Sequence, residues 1–153
     1  MPESGERILA LDLGASRIGL AVSDELGWTA HGLPTLERVG PKKDFAKLRD
    51  IVAQYHVQKL VVGLPRNMNG SLGPQANLAL EFIEQVKSKL NLDVIPWDER
   101  LTTQAAQRVL LEADMSRAKR RKKVDQVAAV LILQGYLDSR RGLLETASQP
   151  EAS

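Results

Sequence analysis

A chain of 153 residues with 43% hydrophobic and 26% charged side chains has the size and composition of one soluble domain with its own core. The absence of cysteine excludes a disulfide framework and any thiolate metal site. The net charge is +2, the longest apolar run (QVAAVLILQGYL, 126–137) is too short to cross a bilayer, and MPESGER at the start lacks a signal-peptide pattern, so a cytoplasmic protein with no membrane partner is expected.

RILALDL (7–13) reads as a strand closed by Gly14, Ala15 and Ser16, and RIGLAVSD (17–24) as its hairpin partner. A third strand is expected near WTAHGLPTLE (28–37), with Gly32 and Pro34 limiting its regularity. PKKDFAKLRDIVAQYH (41–56) carries Phe45, Leu48, Ile51 and Val52 at helical spacing, with Pro41 in the first turn. KLVVGLP (59–65) has the continuous apolar character of a buried strand. The loop RNMNGSLG (66–73) leads to a helix over 74–90, then to a strand DVIPWDE (93–99). TTQAAQRVLLEA (102–113) is expected to be helical, and KVDQVAAVLILQGYLDSRR (123–141) to form a final, largely buried helix. The expected α/β domain covers 1–141, with 142–153 as a polar tail. Its five-stranded mixed sheet joins three antiparallel strands to two parallel ones, with helices on both faces. Right-handed crossovers place the fourth strand beside the first, and ligands belong beyond the carboxyl ends of the parallel strands.

Asp12 is the anomaly in this scheme, because Ile8, Leu9, Ala10, Leu11 and Leu13 around it are apolar. A desolvated, uncompensated carboxylate would cost several kcal/mol, roughly, so a turn, a basic partner or a metal ion must answer it. Asp98 and Glu99 close the last strand, and alternation lets only one of them share the Asp12 face. Asp125 falls in the first turn of the final helix. Carboxylates gathered without His or Cys form a hard-oxygen site suited to Mg²⁺ or Mn²⁺. Two such ions about 3.5–4 Å apart clamp the attacking and leaving oxygens of a phosphodiester. The two histidines, His31 and His56, read as structural or surface residues.

The segments LALDLGASRIGLAVSD, VVGLPRNMNGSLGPQA, DERLTT and KRRKKVDQVAAVLILQGYLD stand in an order that resembles the YqgF family, also called RuvX, across residues 8–138. That family comprises Holliday-junction resolvases and pre-16S rRNA nucleases of the ribonuclease H-like fold. The resemblance implies a metal-dependent nuclease whose acidic residues map onto Asp12, Glu99 and Asp125, with Glu99 favoured over Asp98. Two positions depart from the pattern: Asn69 stands where an Asp is common, and Ser16 where a Lys is frequent. Asn69 loses a charge, and Ser16 removes one phosphate contact beside Asp12, although Arg17 remains.

The remaining motifs fit substrate handling. A glycine-containing loop entering a helix N-terminus suits a phosphate, with Arg66, Asn67 and Ser71 as side-chain donors. Arg100 follows the acidic pair, and can orient either a carboxylate or a phosphate. The run 117–123 holds six basic residues and no acidic one, which leaves 15 basic against 19 acidic residues elsewhere, a net of −4. Such a cluster on an acidic body marks a polyanion contact, with Lys119, Arg120, Arg121 and Lys122 delivering a backbone to Asp125. At 4% aromatic residues a base-stacking platform is disfavoured, so phosphates and backbone shape should dominate. Pre-rRNA is the expected partner of a monomer or homodimer. Junction resolution on branched DNA and non-catalytic RNA binding in ribosome assembly are the alternatives. An actin-like ATPase would need a second lobe that 153 residues cannot supply.

Overall fold

The structure, a computed structural model, describes residues 7–65, 67, 69–98 and 126–140. Five strands form one sheet in the order β3-β2-β1-β4-β5: β1 (Arg7–Leu13), β2 (Arg17–Ser23), β3 (Ala30–Glu37), β4 (Val57–Leu64) and β5 (Asp93–Asp98). β1 runs antiparallel to β2, with Leu9 opposite Val22 and Leu13 opposite Ile18. It runs parallel to β4, with Leu11 beside Val62, and β4 runs parallel to β5, with Leu64 beside Asp98. The three antiparallel and two parallel strands, and the place of β4 beside β1, are as the residues predict.

Alternation divides the sheet into two faces. Leu9, Leu11, Leu20, Leu60, Val62 and Val94 point to one side, under helices α1 (Pro41–Tyr55) and α2 (Pro74–Leu90), whose Phe45, Leu48, Phe82 and Ile83 complete that core. Ile8, Ala10, Ala21 and Val61 point to the other, under a helix over 126–140 that contributes Ala129, Ile132, Leu133, Tyr136 and Leu137. The small side chains Ala10, Ala21 and Ala129 bring this helix close to the sheet. β1 is buried on both faces, so its sequence is nearly all apolar rather than alternating.

Several boundaries differ from the sequence expectation, and four of them have a local reason. β2 stops at Ser23 and β3 starts only at Ala30, because the Asp24 carboxylate accepts the Trp28 and Thr29 N–H groups at 2.7 and 3.3 Å and folds the segment into a turn. α1 ends at Tyr55 because His56 takes a left-handed conformation with φ 54°. β4 therefore begins at Val57, two residues before the expected strand, and its buried Val57 joins the first core. The expected helix at 102–113 and the tail 142–153 lie outside the described residues. Among the described residues no helix is long and apolar enough to cross a membrane.

Candidate metal and nucleic-acid site

Asp12 continues the row of Ile8 and Ala10, so its side chain stands on the face covered by the 126–140 helix, near the carboxyl end of β1. It is 8% exposed. Its neighbour across β2 is Gly19, and the parallel register that sets Leu11 beside Val62 brings Gly63 of β4 to its other side. Neither flanking position carries a side chain. Sequence reasoning passed over both glycines. The signal was there, since an isolated Gly inside an apolar strand pattern often marks a place where a ligand comes close.

The end of β5 separates the two candidate acids. Val94 packs in the core with Leu9 and Leu11, whereas Ile95 and Trp97 pack with Ile8 and Ala10. Asp98 therefore shares the face of Val94, opposite that of Asp12, and is exposed. Glu99, Arg100, Asp125 and the basic residues Lys119, Arg120, Arg121 and Lys122 lie outside the described residues, as does Arg66. Among the described residues alone, no three His, Cys, Asp or Glu side chains group as metal ligands. His31 is exposed, its Nε2 3.0 Å from the Thr29 hydroxyl, and His56 serves as the left-handed cap of α1.

The loop entering α2 spends its polar side chains on its own shape. Asn67 Nδ2 donates to Ser71 Oγ at 3.0 Å, and Asn69 Oδ1 accepts from both Ser71 N and Ser71 Oγ, at 2.9 and 2.6 Å. Asn67 and Ser71, expected as phosphate donors, thus brace the turn, and the Asn69 amide oxygen is committed to Ser71. Gly73 packs on Asn67, whose Oδ1 would lie 3.3 Å from any added Cβ. The loop delivers the chain to the start of α2, where Pro74 occupies the first turn and no side chain caps the helix. Ala76 and Ala79 of α2 pack with Leu64, and Leu13 lies against them, at the carboxyl ends of β4 and β1.

Arg17 closes the β1–β2 turn with its backbone carbonyl, which accepts Gly14 N at 2.8 Å. A second arginine, invisible as a site residue in the sequence, reaches the same turn from the end of β3. Arg38 Nη1 donates to Gly14 O at 2.7 Å, and Arg38 N to Ser16 O at 2.9 Å. Asp44 steadies it, with Oδ2 4.0 Å from Arg38 Nε and Oδ1 accepting Val39 N at 3.0 Å. A cleft of about 270 Å³ opens here, lined among others by Leu13, Gly14, Arg38, Pro65, Gln75 and Phe82. Only pairing between distant strands brings Arg38 to Gly14, so local sequence patterns gave no sign of it.

Residues 6–139 match the family model described as RuvX: Holliday junction resolvase. Among similar proteins, one from Moorella thermoacetica is 58% identical over 132 residues, covering 86% of this chain and 94% of its own, and bears the name "Putative pre-16S rRNA nuclease". One from Clostridioides difficile with the same name is 56% identical over 132 residues, covering 86% and 94% of the two chains. Among solved structures, Thermus thermophilus RuvC in complex with a Holliday junction substrate superposes with a TM-score of 0.55 at 16% identity, covering 90% of this chain and 96% of that one. The fowlpox virus Holliday junction resolvase gives 0.52 at 16% identity, covering 87% and 99%. These two likenesses establish a shared ribonuclease H-like fold.

Proposed function

Because the chain belongs to the RuvX family, we propose that it is a metal-dependent nuclease that hydrolyses phosphodiester bonds in structured RNA, with the 5′ end of pre-16S rRNA as its substrate. The observation that carries this reading is Asp12: a carboxylate 8% exposed, at the carboxyl end of a parallel strand, with glycine on either side. Burial of that charge is tolerable when a divalent cation shares it.

Glu99 and Asp125 complete the proposed ligand set. The resemblance maps one of these acids onto Glu99, the residue after Asp98 in the chain. It maps the other onto Asp125, the residue that precedes the helix over 126–140 in the chain. Three carboxylates and no His or Cys fit Mg²⁺ or Mn²⁺ by ligand type. Bound there, the ions would supply a hydroxide nucleophile and charge stabilisation at the phosphate. The protein's part is to hold three acidic side chains at fixed spacing, to offer Arg17 and the first-turn N–H groups of α2 to flanking phosphates, and to lead the backbone in along Lys119, Arg120, Arg121 and Lys122. Arg66 and Arg100 are proposed as further phosphate contacts. Asn67 and Ser71 act by shaping the loop.

The test offers purified protein a pre-rRNA leader and a four-way DNA junction in parallel, with Mg²⁺ and with EDTA. We expect Mg²⁺-dependent cleavage of the leader that Asp12→Asn and Asp125→Asn each abolish while the far-ultraviolet circular dichroism stays unchanged. Full cleavage by either variant sinks the ligand set. Binding without cleavage under any metal leaves a ribosome-assembly factor instead. The family model's description favours one second reading, resolution of four-way junctions. Paired cuts need a two-fold dimer, so a protein that sediments only as a monomer argues against it.

A further inference from the structure

The cleft of about 270 Å³ beside Arg38 lies at the carboxyl end of β1, on the side of the sheet that carries α2. Leu13 lines it and follows Asp12 directly, so these two residues present to opposite faces of one strand end. One wall is a stripe of α2, where Gln75, Leu78, Phe82 and Gln85 stand on successive turns over about 15 Å of helix. The facing wall is the turn at Gly14 and Ala15, together with Arg38. Leu78 is 65% exposed, an apolar surface with nothing laid over it. Gln75 and Gln85 are exposed as well, and neither amide has a hydrogen-bond partner among the described residues. Arg38 is held in place: Nη1 donates to Gly14 O at 2.7 Å, and the guanidinium lies 5.9 Å from the centre of the Phe82 ring, which stacks on Phe45. A guanidinium has five N–H donors, so the Gly14 bond leaves others for a ligand.

Charge and lining decide what such a cleft takes. Among the described residues that line it, Arg38 is the one cation and Glu81 the one anion, so it offers no net field to a polyphosphate. Two amides, a carboxylate and a guanidinium beside an apolar wall match a nucleobase instead. Amide and carboxylate groups bond base edges, and an apolar side chain or a guanidinium plane covers the ring. The volume falls below the roughly 300 Å³ at which pockets for drug-sized ligands begin, a size for one unpaired base and not for a stretch of duplex. We propose that this cleft receives one unpaired nucleobase of the bound RNA strand, carried over the end of β1 from the Asp12 side. Gln75 and Gln85 bond its edge, Leu78 covers its face, and the remaining Arg38 donors meet the adjoining phosphate. The inference rests on the reading above for its polynucleotide, and on none of the proposed metal ligands for its geometry. A free mononucleotide shares the base chemistry, so the test separates the two sources.

The experiment is fluorescence anisotropy of the full-length protein in Ca²⁺, with labelled single strands of about ten nucleotides. Oligoadenylate, oligocytidylate and oligouridylate are compared with an abasic ribose-phosphate strand of the same length and charge. At least one base-bearing strand should bind about tenfold more tightly than the abasic one, the scale of one stacked base. Leu78→Ala and Gln75→Ala, both at exposed positions, should each cut that advantage by about threefold or more. Neither should change the abasic affinity or its salt slope, and circular dichroism confirms folding. Leu26→Ala, at a leucine 72% exposed between β2 and β3, should change nothing. Equal affinity of the unaltered protein for base-bearing and abasic strands overturns the proposal and leaves the nuclease reading standing. So does an unchanged advantage in both cleft variants, or an equal loss on the abasic strand, which would make the cleft a backbone contact. Displacement of the strands by micromolar AMP, CMP or UMP would assign the cleft to free nucleotides and overturn it as well. Failure to bind any strand removes the polynucleotide reading, and this inference with it.

Discussion

Asp24 and Asp44 each answer a negative charge with donors of the surrounding chain, and the difference between them is a matter of which donors. Asp44, in the first turn of α1, is 3% exposed, and collects Val39 N and the Arg38 side chain. Replacing it with alanine strands a backbone N–H and releases Arg38 from the Gly14 turn. A loss of about 1–3 kcal/mol in urea unfolding is expected. Burial tends to raise the Asp24 carboxyl's pKa, but the N–H groups of Trp28, Thr29 and Gly27 and the Thr29 hydroxyl together outweigh it and hold the group below its ordinary 3.8. A depressed folded-state pKa means that the stabilisation is fully present above that ordinary value and disappears as pH falls through the folded one. Asp24→Ala should therefore cost about 1 kcal/mol at neutral pH. The gap to the unaltered protein should close in acid, as followed by urea midpoints across a pH series. Asp12 was legible in the sequence because a carboxylate interrupts an otherwise apolar run. Asp24 was read as the end of a strand, because the donors that make it a turn residue lie four and five positions further on.

At the scale of elements, the best-read segments are those whose ends carry their own punctuation. β1 and α2 were expected at 7–13 and 74–90 and occur there, α2 running from Pro74 to the left-handed Asn91 that follows Leu90. The final helix was legible as buried from its apolar circumference, but which stripe met the sheet was not. That depends on Ala10, Ala21 and Val61 presenting a low surface, a property of three different strands. Leu133 sits at the centre of the contact and is fully buried. Leu133→Ala should lower unfolding free energy by about 2–5 kcal/mol, measured by denaturant titration. Helix and sheet should unfold together in one transition, because this helix has no other partner for its apolar face among the described residues. β3 was the least regular expectation, and for a physical reason. It is an edge strand whose Ala30 N–H and Leu33 carbonyl are met by glutamine side chains, with Pro34 withdrawing another donor. Those features blunt the edge against pairing with a further strand. Of these, only Pro34 is visible in the sequence.

For the whole molecule the charge distribution decides how a nucleic acid would be held. An acidic body with net −4 repels a polyanion, and the six basic residues of 117–123 oppose that locally. At the proposed site the Asp12 carboxylate would need both a cation and a nearby basic surface before a phosphate could approach it. This predicts a division of labour between binding and chemistry. Replacing Lys119, Arg120, Arg121 and Lys122 by glutamine should weaken RNA binding uniformly across sequences. The slope of log affinity against log salt should become shallower by roughly one unit for each residue that touches a phosphate, so by up to about four. Under saturating RNA the cleavage rate should be retained, because the proposed ligand set of Asp12, Glu99 and Asp125 is untouched, so the loss appears in KM and not in kcat. The converse pattern follows for Asp12→Asn, which removes a negative charge from the pocket: binding persists, or tightens at low salt, while turnover disappears. Filter binding across a salt series, paired with single-turnover cleavage at saturating RNA, measures both. A fall in kcat with an unchanged salt slope would place the basic run at the reaction centre instead of along the approach to it.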